Sequence, residues 1–165
     1  MIYSDFPYKR IDFDKFKSNV EKMIKQFELS ETAENQIRII QEYQNIQKET
    51  QTYGSIAHLN FARNTKDEKA VEENKFYDGI GPEIAAIDNQ FTKAINNSNF
   101  KEELLNKFGK HFFNLIEMEL KSFDPKLVSL MKEENELSNE YRSLLAGAEM
   151  DYKGKTLNLA GLSPY

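Results

Sequence analysis

Two consecutive stretches of this chain repeat an apolar residue every three to four positions, well beyond the length of an ordinary helix. The first runs through Ala33, Ile37, Ile40, Tyr43 or Gln44, Ile46 or Gln47, Thr50, Tyr53, Ala57 and Phe61. The second runs through Ala70, Val71, Phe76 or Tyr77, Ile80, Ile84, Ile87, Phe91 and Ala94 or Ile95. A period near 3.6 puts such positions on one helix face. Only a short polar turn separates the two stretches. Long helices joined that closely pack antiparallel as a hairpin of helices. The rest of the chain has to be arranged around that frame, so the fold class expected is mainly α: an antiparallel helical bundle with long helices.

Local signals divide the remainder. Residues 1–11 are aromatic and extended, and Pro7 keeps Phe6 out of helical geometry. Asp12 or Asp14 can cap a first helix whose stripe is Phe13, Phe16, Val20, Met23, Ile24 and Phe27. Ser30 is the expected cap of the second helix, with Glu31 and Glu34 in its first turn. Gly54 lies inside that helix and implies a break or a close approach. Thr65 and Glu68 form a capping box for the third helix. Pro82 predicts a kink or break near Asp78 to Gly81.

After the polar turn Asn96-Asn97-Ser98-Asn99 a short helix runs through Phe100, Leu104, Leu105 and Phe108 to Gly109, and another from about Lys110 to Lys121. Asp124-Pro125 starts the last helix. Its pattern predicts burial of Leu127, Val128, Leu130 or Met131, Leu137, Tyr141, Leu144, Leu145 and Ala148. The helix passes directly into Asp151-Tyr152-Lys153-Gly154-Lys155-Thr156-Leu157, which reads as a short C-terminal β-hairpin. The chain then stops at Leu162-Ser163-Pro164-Tyr165, with no closing helix expected. A lone hairpin is marginal in water. The expectation is that further partners of this hairpin exist and that the chain is the front part of a larger protein.

Composition narrows the function classes. The chain has 165 residues, 12 Phe and 8 Tyr, enough to bury a real core. The net charge of -5 argues against a dedicated nucleic-acid binder. Cysteine is absent, which removes disulfides, thiolate nucleophiles and Cys-ligated zinc. No segment approaches the roughly 20 apolar residues of a membrane span, and no secretory signal pattern opens the sequence. A cytoplasmic protein with no membrane partner is expected.

No chemistry-bearing motif emerges. A zincin helix needs two His four apart with Glu after the first. His58 and His111 are the only histidines; Leu59 follows one and Phe112 the other. Gly79-Ile80-Gly81-Pro82 has the wrong spacing for a phosphate cradle, and Pro82 lacks the N–H a cradle uses. Glu72-Glu73 and Glu133-Glu134 are adjacent acids that do not share a helix face, the usual pattern of solvated surface. Lys66 to Lys75 and Lys101 to Lys107 mix both charge signs, as exposed faces do. Tyr3, Tyr8, Tyr152 and Tyr165 sit near the extended parts, where phenols either line a groove or pack an interface. No catalytic residue and no metal ligand is assigned, and the substrate-binding residues stay unknown.

The order of motifs carries a resemblance. Tyr8-Lys9-Arg10-Ile11 precedes the first helix. Arg63-Asn64-Thr65-Lys66-Asp67 is followed by Glu72-Glu73-Asn74-Lys75-Phe76-Tyr77-Asp78 and then Pro82. Ser98-Asn99-Phe100-Lys101-Glu102-Glu103-Leu104 leads to Phe108-Gly109, and Glu134-Asn135-Glu136-Leu137 to Tyr141 and Leu144-Leu145-Ala146. Glu149-Met150-Asp151-Tyr152-Lys153-Gly154-Lys155-Thr156-Leu157 closes the series. In this order the chain resembles the N-terminal region of M3-family zinc oligopeptidases of the oligoendopeptidase F type.

The resemblance implies a fragment of a larger clam-like peptidase fold. Residues 1-150 would be an N-terminal helical domain, and residues 151-165 a β-hairpin leading into a catalytic domain absent from this chain. It implies zinc in the full-length protein, held by a His-Glu-x-x-His helix and a downstream Glu, with none bound by this chain. It implies short peptides as substrates, a channel-wall role for this region, and the catalytic domain as its partner across an uncovered apolar face. The alternative is a complete non-enzymatic helical module that binds partners through its helix faces. A self-contained enzyme with a carboxylate or Tyr site is a third reading.

Overall fold

A computed structural model describes residues 7–163. The first helix, α1 (Phe13–Glu28), begins where Asp12 accepts from the Lys15 amide. It buries Phe16, Val20, Met23 and Phe27, one face of the stripe read from the sequence. The second, α2 (Ala33–Arg63), and third, α3 (Glu68–Asn96), are the two long helices. The fourth, α4 (Lys101–Ser122), is interrupted at Gly109, whose φ of 85° and ψ of 164° belong to glycine alone. The fifth, α5 (Val128–Gly147), follows a 3₁₀ turn at Pro125–Leu127 that Asp124 caps.

The long helices pair as expected, and α3 is central, packing against α1, α2, α4 and α5. The core lies among the first four helices. It joins Phe27 and Val20 of α1, Ile39, Ile40 and Tyr43 of α2, Ile87 and Phe91 of α3, and Leu104, Phe113 and Ile116 of α4. Phe91 sits at its middle, edge-on to Phe27 at 5.5 Å and to Tyr43 at 4.5 Å between centroids. Each such buried side chain contributes roughly 1.5–3 kcal/mol relative to exposure.

Both long helices start later than the sequence predicts. Ser30 does not cap α2: its hydroxyl donates back to the Gln26 carbonyl, and Thr32 accepts from the Asn35 amide instead. Thr65 does not cap α3: Asp67 takes the Lys69 and Ala70 amides. In each case the oxygen nearer the first helical N–H wins. Gly54 does not break α2. A Cβ there would lie 3.3 Å from the Tyr77 ring, so this glycine lets α3 press an aromatic face onto the α2 backbone.

Helix α3 runs through Pro82 without a break. Proline has no N–H for the carbonyl four residues back, here that of Asp78. Asn135 of α5 supplies the missing donor, its Nδ2 lying 3.1 Å from that carbonyl oxygen. Pro82 itself is fully buried.

This repair overturns the burial expected of α5. None of its residues is buried. Its inner face begins with Met131, the alternative to Leu130 and partly covered, and is otherwise polar, with Lys132, Asn135 and Asn139 bonded to polar groups on α3. The apolar stripe is turned outward: Leu130 is 58% exposed, Leu137 58%, Tyr141 62% and Leu144 72%. Leu127 and Leu145 are exposed as well, and Val128 and Ala148 only partly covered.

The hairpin pairs β1 (Met150–Tyr152) with β2 (Lys155–Leu157), antiparallel, with Asp151 opposite Thr156. Lys153 and Gly154, both at positive φ, make the two-residue primed turn that a twisted hairpin favours. The expectation of no closing helix does not hold. One helical turn, α6 (Leu159–Leu162), follows, because Asn158 caps it by accepting from the Gly161 amide at 2.8 Å. Tyr3 and Tyr165 lie outside the described residues.

Candidate functional site

A cleft of about 640 Å³ opens between the end of α2, the first half of α3 and the middle of α5. Phe61 and Val71 give it an apolar wall. Asn74, Asp78 and Asn139 give it a polar floor. That floor is a fixed network. Asp78 Oδ2 accepts from Asn74 Nδ2 at 2.5 Å and from Asn139 Nδ2 at 2.6 Å. Asn74 Oδ1 in turn lies 3.2 Å from His58 Nδ1. With Asn135 on its backbone carbonyl, Asp78 is held from three sides and by two helices.

Charged groups ring the opening. Lys132 is engaged by Glu83 of α3 at 2.5 Å. Lys75, Glu136 and Glu140 also line the cleft and have no ion-pair or hydrogen-bond partner among the described residues. Gly79 lines it too, and a Cβ built there meets nothing within 4 Å, so the space over this turn of α3 is open.

A second cluster fastens the segment before α1 onto α3. Arg10 donates to Glu73 through Nε at 2.9 Å and Nη2 at 2.9 Å, reaches Glu72 at 2.8 Å, and lies 4.8 Å from the centre of the Phe76 ring. The Tyr8 hydroxyl donates to Glu73, and the Tyr77 hydroxyl accepts from the Ile11 amide at 3.4 Å. The Arg10 guanidinium holds the Glu73 carboxyl below its usual range. Burial first, and the Glu73 contact second, push the Tyr8 phenol up. Every charge in this cluster has a mate, so it reads as a fastening.

A third cluster joins α2, α3 and α4. The Tyr43 hydroxyl donates to Asp88, and Thr92 donates to Glu119 at 3.0 Å. Burial, then the nearby Glu119, push the Asp88 carboxyl up to about 7.

These sites were only partly visible in sequence. Glu72-Glu73 reads there as solvated surface, whereas Glu73 is the half-buried anchor of Arg10 and Tyr8. Asp78 and Asn135 fell in stretches that carried the resemblance but, like Asn139, showed no chemical motif; Pro82 four residues after Asp78 was the one physical signal. His58 touches the cleft network through Asn74, and His111 is exposed on α4. Tyr8 packs edge-on to Tyr53 at 6.2 Å, while Tyr152 belongs to the hairpin, with the Lys153 ammonium over its ring. Among the described residues no group of three or more His, Cys, Asp or Glu is arranged to hold a metal ion.

The family model of the peptidase M3 N-terminal domain matches residues 3–123. The chain belongs to the M3 peptidase family. Three solved structures share the fold over nearly all of this M3 chain. An oligoendopeptidase F is 28% identical with a TM-score of 0.93, over 99% of this chain and 29% of its own. PZ peptidase A, solved with an inhibitor, is 30% identical with a TM-score of 0.93, over 99% and 29%. An oligoendopeptidase F from Bacillus anthracis is 30% identical with a TM-score of 0.91, over 98% and 30%. No curated protein matches. The M3 chain thus corresponds to the N-terminal region of oligoendopeptidase F-type structures and spans less than a third of their length. No helix of the described residues is long and apolar enough to cross a membrane.

Proposed function

We propose that this chain is the N-terminal, channel-wall part of a cytoplasmic zinc metalloendopeptidase that hydrolyses short peptides. The observation that carries the reading is the match of the M3 N-terminal domain together with solved peptidases that continue for more than twice this length beyond the shared region. The donor set described here does not fit zinc: two histidines on separate helices, one tied to Asn74 and one exposed, lack a third ligand. In this reading the metal and its chemistry belong to a His-Glu-x-x-His helix outside these residues, and residues 1-150 and 151-165 are a wall domain and its passage into the catalytic domain. The exposed leucines of α5 support that division, because a contiguous apolar face of this kind marks an interaction surface.

The same face suits the alternative, a stand-alone helical module that docks a partner. Reading the source gene past the codon for Tyr165 separates them. The peptidase reading expects a continuing frame with His-Glu-x-x-His, whose product cleaves a quenched fluorogenic peptide in a chelator-sensitive way. The 165-residue chain alone should leave that peptide intact. A stop codon, or chelator-sensitive cleavage by the chain alone, overturns it.

A further inference from the structure

We propose that the outward face of α5 is one half of a coiled-coil seam whose occupant is a leucine-rich helix flanked by lysine or arginine, supplied by the downstream part of the same polypeptide. Leu130, Leu137 and Leu144 are spaced by sevens, and Leu127 and Tyr141 each stand three residues before a leucine of that series. These are the a and d positions of a heptad, the repeat that keeps a narrow seam facing a partner helix. A helix that merely covers a bundle carries a broader stripe. All five side chains are exposed. The groups that tie α5 to α3, namely Lys132, Asn135 and Asn139, fall at b and f positions on the opposite side of the helix. The bundle thus grips α5 by its back and leaves the seam whole.

Charge selects the occupant. Glu134 stands at the a position between Leu127 and Tyr141, and Glu133 and Glu140 stand at the flanking g positions, all three exposed. The cations of α5, Lys132 and Arg142, lie at f and b, away from the seam. A second copy of this chain is therefore a poor fit. Parallel pairing would set Glu134 against its own copy, and antiparallel pairing would set Glu133 and Glu140 against theirs. A helix with cations beside its own seam answers these acids and fills the leucine positions as well. Placing that helix downstream rests on the peptidase reading, in which the solved relatives continue far beyond the shared region. The demand for a basic helix rests on α5 itself.

The 165-residue chain is titrated with two fluorescent synthetic helices as long as α5, followed by anisotropy. Both carry leucine at a and d; one carries lysine and the other glutamate at e and g, so that neither pairs well with itself. The lysine helix is expected to bind, and its glutamate twin to bind about tenfold more weakly or worse. Leu137→Lys with Leu144→Lys should abolish binding, and because both positions are exposed the fold should survive, as circular dichroism will check. Glu133→Lys with Glu140→Lys should reverse the preference between the twins. Glu21→Lys with Glu28→Lys, the same change of charge on α1, should not. The source is tested in the product of the continuing frame. With Leu137→Cys in place, maleimide labelling at that position, read by mass spectrometry, should be about tenfold slower than in the 165-residue chain. Failure of the lysine helix to bind, equal binding of the twins, dimerisation of the chain through this face, or equal labelling would overturn the proposal. Equal labelling in a product that cleaves peptide leaves the peptidase reading standing, whereas a stop codon removes both.

Discussion

The Asp88 carboxyl should make this chain less stable as pH rises through neutrality. It lies between α2, α3 and α4, takes the Tyr43 hydroxyl, and faces Glu119, with Thr92 beside it. Burial is the larger cause that raises it from 3.8 to about 7, and the Glu119 charge the smaller. Between those two values the folded protein holds a proton that the unfolded chain has released, so each step up in pH favours unfolding. The stabilisation of the protonated acid is complete below about pH 4 and gone above about 7. At 1.36 kcal/mol per pH unit the full span is about 4 kcal/mol. Water reaches part of this carboxyl, so about 2 kcal/mol is the expectation between pH 5 and 8. That is a large share of the 5–15 kcal/mol typical of a domain.

Urea denaturation followed by circular dichroism at pH 5, 6, 7 and 8 measures it, with Asp88→Asn as the reference. Asparagine keeps an acceptor for Tyr43 and cannot ionise, so its profile should be flatter and its stability at pH 8 higher. Stability that rises from pH 5 to 8, or an Asp88→Asn profile parallel to that of the parent, would refute the reasoning.

Two further outcomes concern α3. Asn89 is 1% exposed and neither its Nδ2 nor its Oδ1 finds a protein partner; Asn89→Leu should therefore stabilise by about 1–2 kcal/mol in urea denaturation, and a loss of that size would show that a buried water completes the site. Asn135→Ala should cost about 1–3 kcal/mol because it orphans the Asp78 carbonyl. In a Pro82→Ala background the restored N–H should take over that carbonyl, so a double-mutant cycle with no coupling between the two positions would remove this account of how α3 tolerates proline.

The helical frame was legible because its determinants are periodic. Phe16, Val20, Met23 and Phe27 fall on one face whatever surrounds them, and Gly109 marks a break through its own backbone freedom. The caps slipped by two residues, since Ser30 and Thr32, or Thr65 and Asp67, offer similar oxygens and only the geometry of the turn chooses between them. The facing of α5 was not legible. A leucine stripe predicts burial, but the helix is oriented by Asn135 and Asn139 seeking Asp78, a demand created on another helix by Pro82. The cleft stayed hidden for the same reason. Its floor joins Asn74 and Asp78 of α3 to Asn139 about sixty positions away, a set with no chemical motif, and polar residues on a helix read locally as surface.

The fastening of the leading segment has a consequence for the order of folding. Tyr8, Arg10 and Ile11 find their partners 62 to 66 positions away, on consecutive turns of α3. Glu73 and Tyr77 are presented side by side only once α3 exists, and the Tyr77 ring is seated only when Gly54 of α2 lies beneath it. The strap therefore has nothing to grip until the helical hairpin has closed. Closing so long a loop before α3 has formed would cost entropy with no bond to offset it. Residues 8–11 are synthesised before α3 and so wait for the partners that hold them.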